Sequence, residues 1–449
     1  MKIVLRNILK ILLRIIIFLR GYALLAFLYS KFIEELTVGG NITHSFKRAS
    51  PNKLTILAIS AKAFRKDIDC IASTNEFRIL WITEPWQTRL SSMFCYPTRK
   101  YQKFWPDYNP DHTNFQYKTE RDDFRDFLFN FLKRLYNIID VDCIISAHPR
   151  YIFDIEWGAV STQLGIPHIL IPRDSQMASS PTLLTRMTDS YKEGVPKFKG
   201  EHIIIQSELD KKVYIDSGYV VPEKISSLGC PRMDNFLKKT KERKFDSKNK
   251  RKKIVFLPFI WDSYFEKSDL FSYIYEVNMF FVHFALKYPE LDVIIKPKRK
   301  VSGSQKPILI EPLKDPSVEL EKIPNLIIRS DLDLHDLFPD SDVVCGLNTS
   351  ALLEAAVIGL PVIIPYFKDL QNPKYDKRVF YKDAFDLFDI ARDVKELESL
   401  ILKRLHNPMI DKNVMEGRNA MFEKFVSSLQ GDATEKYIEC IKRVVSQRK

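Results

Sequence analysis

From Leu54 onward, short apolar runs alternate with longer stretches in which apolar positions recur at helical spacing. The runs predict buried strands at Leu54–Ile59, Phe77–Thr83, Cys143–Ser146, His168–Ile171, His202–Gln206 and Ile225–Leu228. Between them, the 3.6-residue period predicts helices at Asp122–Ile139 and Ile155–Leu164. Residues 84–121, rich in Pro, Trp, Tyr and Asp, read as a long ordered loop. The alternation then restarts, with strands at Ile254–Pro258, Leu291–Lys296, Leu326–Ile328, Val343–Cys345 and Pro361–Pro365. Helices are expected at Leu270–Tyr288, Leu332–Phe338, Ala351–Ile358 and Val394–His406. Strands alternating with helices imply parallel sheets covered on both faces. The break between the two series, 237–253, is densely basic and has no apolar period, so it reads as a linker. The expected fold class is therefore α/β, with one Rossmann-like domain over 50–236, a second over 254–425, and a closing helix over 426–449.

Residues 1–40 follow a different pattern. Lys2, Arg6, Lys10 and Arg14 recur every fourth residue, and Arg20 returns close to the same angular position. At about 100° per residue the five cations occupy an arc of roughly 120°, and the remainder is mostly Ile, Leu, Phe and Val. That is the pattern of an amphipathic helix lying in an anionic membrane surface. Arg14 and Arg20 interrupt the run of roughly 20 uncharged residues that a spanning helix needs, and no A-x-A cleavage pattern follows.

Charge agrees with an anionic partner. Lys plus Arg number 69 against 57 Asp plus Glu, a formal charge of +12. Nucleic acid is not expected, because the basic stretch at 238–253 has only Phe245 as an interleaved aromatic. Six widely spaced cysteines among apolar neighbours indicate reduced, buried thiols. The eight histidines form no HExxH or other close pair, so no metal or cofactor site is expected. Asp-x-Asp recurs at Asp67/Asp69, Asp140/Asp142, Asp331/Asp333 and Asp340/Asp342; in an acid-containing chain these read as chance and helix starts. Walker A and GxGxxG sequences are absent, which removes the main support for P-loop and classical NAD readings.

The segment richest in chemistry runs from Asp342 to Pro365: a buried strand, Asn348-Thr349-Ser350 at the turn, a helix carrying Glu354, then Gly359-Leu360-Pro361 restarting a strand. Hydroxyls and backbone N–H groups at such a turn suit a diphosphate, and Glu354, about one turn on, lies within reach of an attached ribose. The order Asn-Thr-Ser, Glu-Ala, Gly-x-Pro-Val-Ile resembles the donor segment of GT-B glycosyltransferases and of UDP-N-acetylglucosamine 2-epimerases. The resemblance implies that Thr349 and Ser350 hold a nucleotide diphosphate and that Glu354 holds ribose hydroxyls. Two further stretches resemble bacterial surface-polysaccharide transferases and CDP-glycerol glycerophosphotransferase-like proteins: Ile225–Asp234, with Gly229 and Arg232, and Gly431–Ile438. Those families often carry Lys-x-His-Pro after the second strand of the second domain. This chain has Lys296-Pro297-Lys298-Arg299, so cations for phosphate are present but that histidine is not.

Glycosyl transfer needs a base for the acceptor hydroxyl. Strand ends of the first domain offer Glu84, His148 and Asp174; of these Asp174, with Arg173 beside it as a substrate contact, and His148 are the expected bases. Taken together, the resemblance implies a GT-B enzyme whose two Rossmann-like domains face a cleft. It would use a nucleotide-sugar co-substrate without metal and a membrane-proximal glycan or lipid-linked acceptor. Its expected place is the cytoplasm, peripheral on the inner face of a bacterial cell membrane, in capsule or surface-polysaccharide synthesis. A UDP-GlcNAc 2-epimerase-like enzyme and a non-catalytic membrane-associated scaffold are the alternatives.

Overall fold

The computed structural model describes residues 12, 15–36, 42–43, 53–60, 64–82, 84–94, 118–173, 175, 179–241, 251–258, 270–297, 319–376 and 379–448. The chain forms two compact units. The first comprises residues up to 176, 186–234 and 430–449; the second comprises 177–185 and 235–429. Each is a wound α/β layer structure, as the alternation predicts.

The first unit holds eight strands: β1 (Glu34–Leu36), β2 (Ile42–Thr43), β3 (Thr55–Ile59), β4 (Arg78–Ile82), β5 (Cys143–Ser146), β6 (His168–Leu170), β7 (His202–Ile205) and β8 (Ile225–Ser227). Their order is β2-β1-β4-β3-β5-β6-β7-β8; β3 to β8 pair in parallel, and β1 runs antiparallel to both neighbours. Strand side chains alternate between faces. Leu57 and Ile59 join Phe124, Phe131 and Trp157 in one core, while Ile56 and Ala58 join Ile68, Ile71 and Ile145 in the other. The second core is completed from the chain's end by Tyr437, Ile441, Val444 and Val445 of the helix Ala433–Ser446.

The second unit has six strands: β9 (Lys253–Leu257), β10 (Asp292–Ile295), β11 (Leu326–Ile328), β12 (Val343–Gly346), β13 (Val362–Pro365) and β14 (Asp389–Ala391). All are parallel, in the order β11-β10-β9-β12-β13-β14. The chain begins in the middle, winds outward one way, then returns and winds the other. This is the doubly wound topology whose strand order reverses between β9 and β12.

Three expectations are corrected. The continuous helix expected over 1–40 is broken: the helical residues 15–18 end at Arg20, whose φ is 55°. Gly21 N–H donates to Ile16 O at 2.8 Å and Arg20 N–H to Ile17 O at 2.9 Å, the paired bonds of a left-handed helix stop. A second helix, Tyr22–Ser30, then buries Leu25, Ala26 and Tyr29 in the first unit's core, with Tyr29 edge-on to Phe131 at 5.2 Å. Lys2, Arg6, Lys10 and Arg14 lie outside the described residues. Within the loop expected over 84–121, Glu84–Phe94 is a helix, and Lys118–Ile139 starts four residues earlier than its period indicates. The linker's first residues belong to the helix Pro231–Lys241. No helix among the described residues is long and apolar enough to cross a membrane.

Candidate functional site

In a doubly wound sheet, the loops leaving neighbouring strands diverge where strand order reverses and leave a crevice at the strands' C-terminal ends. In the second unit that point lies between β9 and β12. Gly346 ends β12, and a methyl group there would sit 3.1 Å from Leu257 Cβ and 3.2 Å from Leu257 O, so glycine lets the two strands approach closely. Asn348 follows at φ 51°, a left-handed conformation that Asn tolerates better than most residues. Its Oδ1 accepts from Phe380 N–H at 2.8 Å. Thr349 Oγ1 accepts from Ala351 N–H at 3.3 Å, while Tyr381 Oη donates to Thr349 O at 3.2 Å. Tyr381 is buried, itself at φ 63°, and its backbone N–H reaches Ser179 Oγ at 3.3 Å. The loop is thus clamped from behind by an aromatic that the sequence reading missed. Asn348, Thr349 and Ser350 remain half-exposed.

Glu354 lies one turn into the helix Ala351–Val357 and is only 7% exposed. Its Oε2 accepts from His335 Nε2 at 3.1 Å. Lys296, half-buried, follows β10 on the same sheet edge and donates its backbone N–H to Phe256 O at 2.9 Å. The structure therefore brings Asn348, Thr349, Ser350, Glu354 and Lys296 to one edge of one sheet. Lys298 lies outside the described residues.

The first unit reverses strand order between β3 and β5. Here Ser60, at φ 52°, leaves β3. Its N–H donates to Gln87 Oε1 at 2.7 Å and its Oγ to Asp154 Oδ1 at 2.5 Å. Asp154 Oδ2 accepts from His148 N–H at 2.9 Å. Burial pushes the Asp154 carboxyl up to about 7, against the pull of hydrogen bonds from Ser60, His148, Ala147 and Gln87 that favour its charged form. A small cavity beside it is lined by Ser146, His148, His168, Lys197 and Tyr219. The His148 ring packs on Tyr151 at 4.1 Å. His148 thus sits at the reversal point through its backbone, held by an aspartate that reads in sequence as an ordinary first-turn residue. Asp174 lies outside the described residues; Arg173 is exposed next to it, and its carbonyl accepts from Gln206 Nε2 at 2.7 Å.

Gly229 and Arg232 stand elsewhere, beyond the edge strand β8. Gly229 takes φ 84°, and its carbonyl accepts from Tyr437 Oη at 2.9 Å. Arg232 Nη1 pairs with Asp67 Oδ2 at 2.8 Å, and its N–H reaches Asp67 Oδ1 at 3.1 Å. In this arrangement Arg232 neutralises a buried carboxylate within its own unit. The other Asp-x-Asp pairs also have structural partners: Asp142 and Asp342 tie strand starts, and Asp333 caps the helix Leu334–Leu337. Among the described residues, no group of three or more His, Cys, Asp or Glu could hold a metal ion. Cys143, Cys230, Cys345 and Cys440 are buried, and burial pushes the half-buried Cys70 thiol up to about 12.

No family model matches the chain, and no curated protein does. Solved structures similar to it include the UDP-GlcNAc 2-epimerase of Neisseria meningitidis bound to UDP-GlcNAc, at 11% identity and TM-score 0.46, covering 87% of this chain and 100% of that one. A putative UDP-N-acetylglucosamine 2-epimerase of Listeria monocytogenes is similar at 12% identity and TM-score 0.49, over 88% of this chain and 97% of that one. The wall teichoic acid polymerase TagF is similar at 12% identity and TM-score 0.48, over 89% and 90% respectively.

Proposed function

We propose that this chain is a GT-B type, nucleotide-sugar-dependent glycosyltransferase. The observation that carries the reading is the β9–β12 reversal point. It presents two half-exposed hydroxyls, Thr349 and Ser350, and a carboxylate one helical turn away, beside a lysine on the same sheet edge. Hydroxyl and cationic donors suit a diphosphate, and a fixed carboxylate suits the vicinal hydroxyls of a ribose. The acceptor falls to the first unit, where His148, and Asp174 from outside the described residues, are the candidate bases. Asp154, poised near neutrality behind the His148 backbone, orders that loop.

The acceptor is a lipid-linked or membrane-proximal glycan. Supporting this are the exposed Leu12, Ile15, Phe18, Leu19, Leu24 and Phe27, with Phe18 85% exposed, and the exposed cations Arg20 and Lys31 alongside. Isothermal titration with UDP-, CMP- and GDP-sugars tests the donor: one of the three binds, and silence from all of them refutes the reading. Release of free hexosamine from UDP-GlcNAc without acceptor would identify a hydrolysing epimerase instead.

A further inference from the structure

We propose that His335 is a positioning residue for donor recognition, holding the Glu354 carboxylate in the orientation that reads the two ribose hydroxyls. This rests on the nucleotide-sugar reading above. Glu354 is 7% exposed on a helix face where a glutamate has three side-chain torsions to fix. His335 Nε2 engages its Oε2 at 3.1 Å. The imidazole is fixed in turn: its ring stacks on Phe236 at 4.5 Å with 25° between planes, and its backbone N–H is capped by Asp333 Oδ1 at 3.0 Å. An ion pair from Lys239 to Asp336, 2.7 Å long, ties the helix bearing Phe236 to the helix bearing His335.

A buried carboxylate paired with a half-buried imidazole is a costly way to fill space, since two apolar side chains of similar volume would do so without desolvating a carboxylate. The place of this pair gives it a use. Glu354 stands four residues beyond Ser350, one helical turn or about 5–6 Å along the axis, a span suited to a ribose diol joined to a phosphate held at the turn. A carboxylate held by the imidazole offers acceptors in a fixed plane, so two adjacent hydroxyls can be read together.

The test is titration of the full chain with UDP, CDP and GDP, each beside its 2′,3′-dideoxy form. For the nucleotide that binds, the wild type prefers the ribose form by about tenfold or more. His335→Ala weakens the ribose form about tenfold and leaves the dideoxy form unchanged, so the preference disappears. His335→Gln, which keeps an N–H donor at comparable reach, retains most of the preference, whereas the shorter His335→Asn does not. If His335→Ala fails to fold, the Gln-against-Asn comparison decides. An undiminished preference in the Ala or Asn variant overturns the role of His335 and leaves the nucleotide reading standing. A wild type that binds none of the nucleotides overturns both.

Discussion

Asp154 and His168 are buried titratable groups of the first unit whose effects on stability oppose one another. The Asp154 carboxyl is raised to about 7 by burial, so between roughly pH 4 and 7 the native state keeps a proton that the unfolded chain has released. Stability contributed by this group is complete below the ordinary carboxylate range and falls as pH rises through that window, by up to about 1.4 kcal/mol per pH unit. Burial lowers His168 to about 3, so its contribution is present above the usual histidine range and is lost as pH falls. The two slopes oppose each other, and the variant isolates one of them. Asp154→Asn should lose less stability than the wild type between pH 5 and pH 8, measured by urea unfolding. His168 is also confined sterically. A methyl on Gly158 would lie 2.2 Å from its Nδ1, and one on Gly200 would lie 2.7 Å from the same atom. Alanine favours a helix interior by about 1 kcal/mol over glycine. The ring cannot yield on either side, so overpacking wins, and Gly158→Ala should cost a net of about 1–2 kcal/mol, read as a lower thermal midpoint.

Among the elements, the helix Ala433–Ser446 shows how a terminus is held. Its preceding residue, Asp432, makes no side-chain cap. The orphan N–H groups are met from a distant part of the chain, by Asp234: Ala433 N–H at 3.2 Å and Thr434 N–H at 2.7 Å. Asp234→Ala should destabilise the helix by about 1–2 kcal/mol and speed amide exchange across 433–446 before other parts of its unit. Such partnerships explain what the sequence could disclose. Most of the parallel strands were legible because they are buried and read as apolar runs, as Ile56-Leu57-Ala58-Ile59 does. The strands β1 and β14 were not: Glu34-Glu35-Leu36 and Asp389-Ile390-Ala391 are short and partly polar, and exist through pairing. Pro85 near the start of Glu84–Phe94 was a usable helix signal, masked by a polar composition. The proposed donor segment was visible because its residues are contiguous. Asp67 with Arg232, Ser60 with Asp154, and His335 with Glu354 are each assembled from different elements, and no local pattern announces them.

Across the molecule, the two units solve one problem in the same way. Asp142 donates its N–H to Thr55 O at 2.9 Å and accepts Thr55 N–H on Oδ2 at 2.8 Å; Asp342 makes the same pair of bonds with Lys253, at 2.9 and 2.8 Å. In each unit an aspartate just before the strand at the reversal point locks the start of the central strand. Asp142→Ala and Asp342→Ala should each cost about 1–2 kcal/mol, one lowering the first unit's transition and the other the second's in differential scanning calorimetry.

The helix that completes the first unit's core carries a consequence for biosynthesis. Emerging from the ribosome, the first unit acquires its strands early, but the sheet face bearing Ile56, Ala58 and Ile145 waits for Tyr437, Ile441 and Val445. Those residues are translated only after the whole of 235–429. During that interval an apolar face stays uncovered on a nascent chain, which makes it a natural client for chaperones and the part of the protein most prone to aggregate when synthesis stalls.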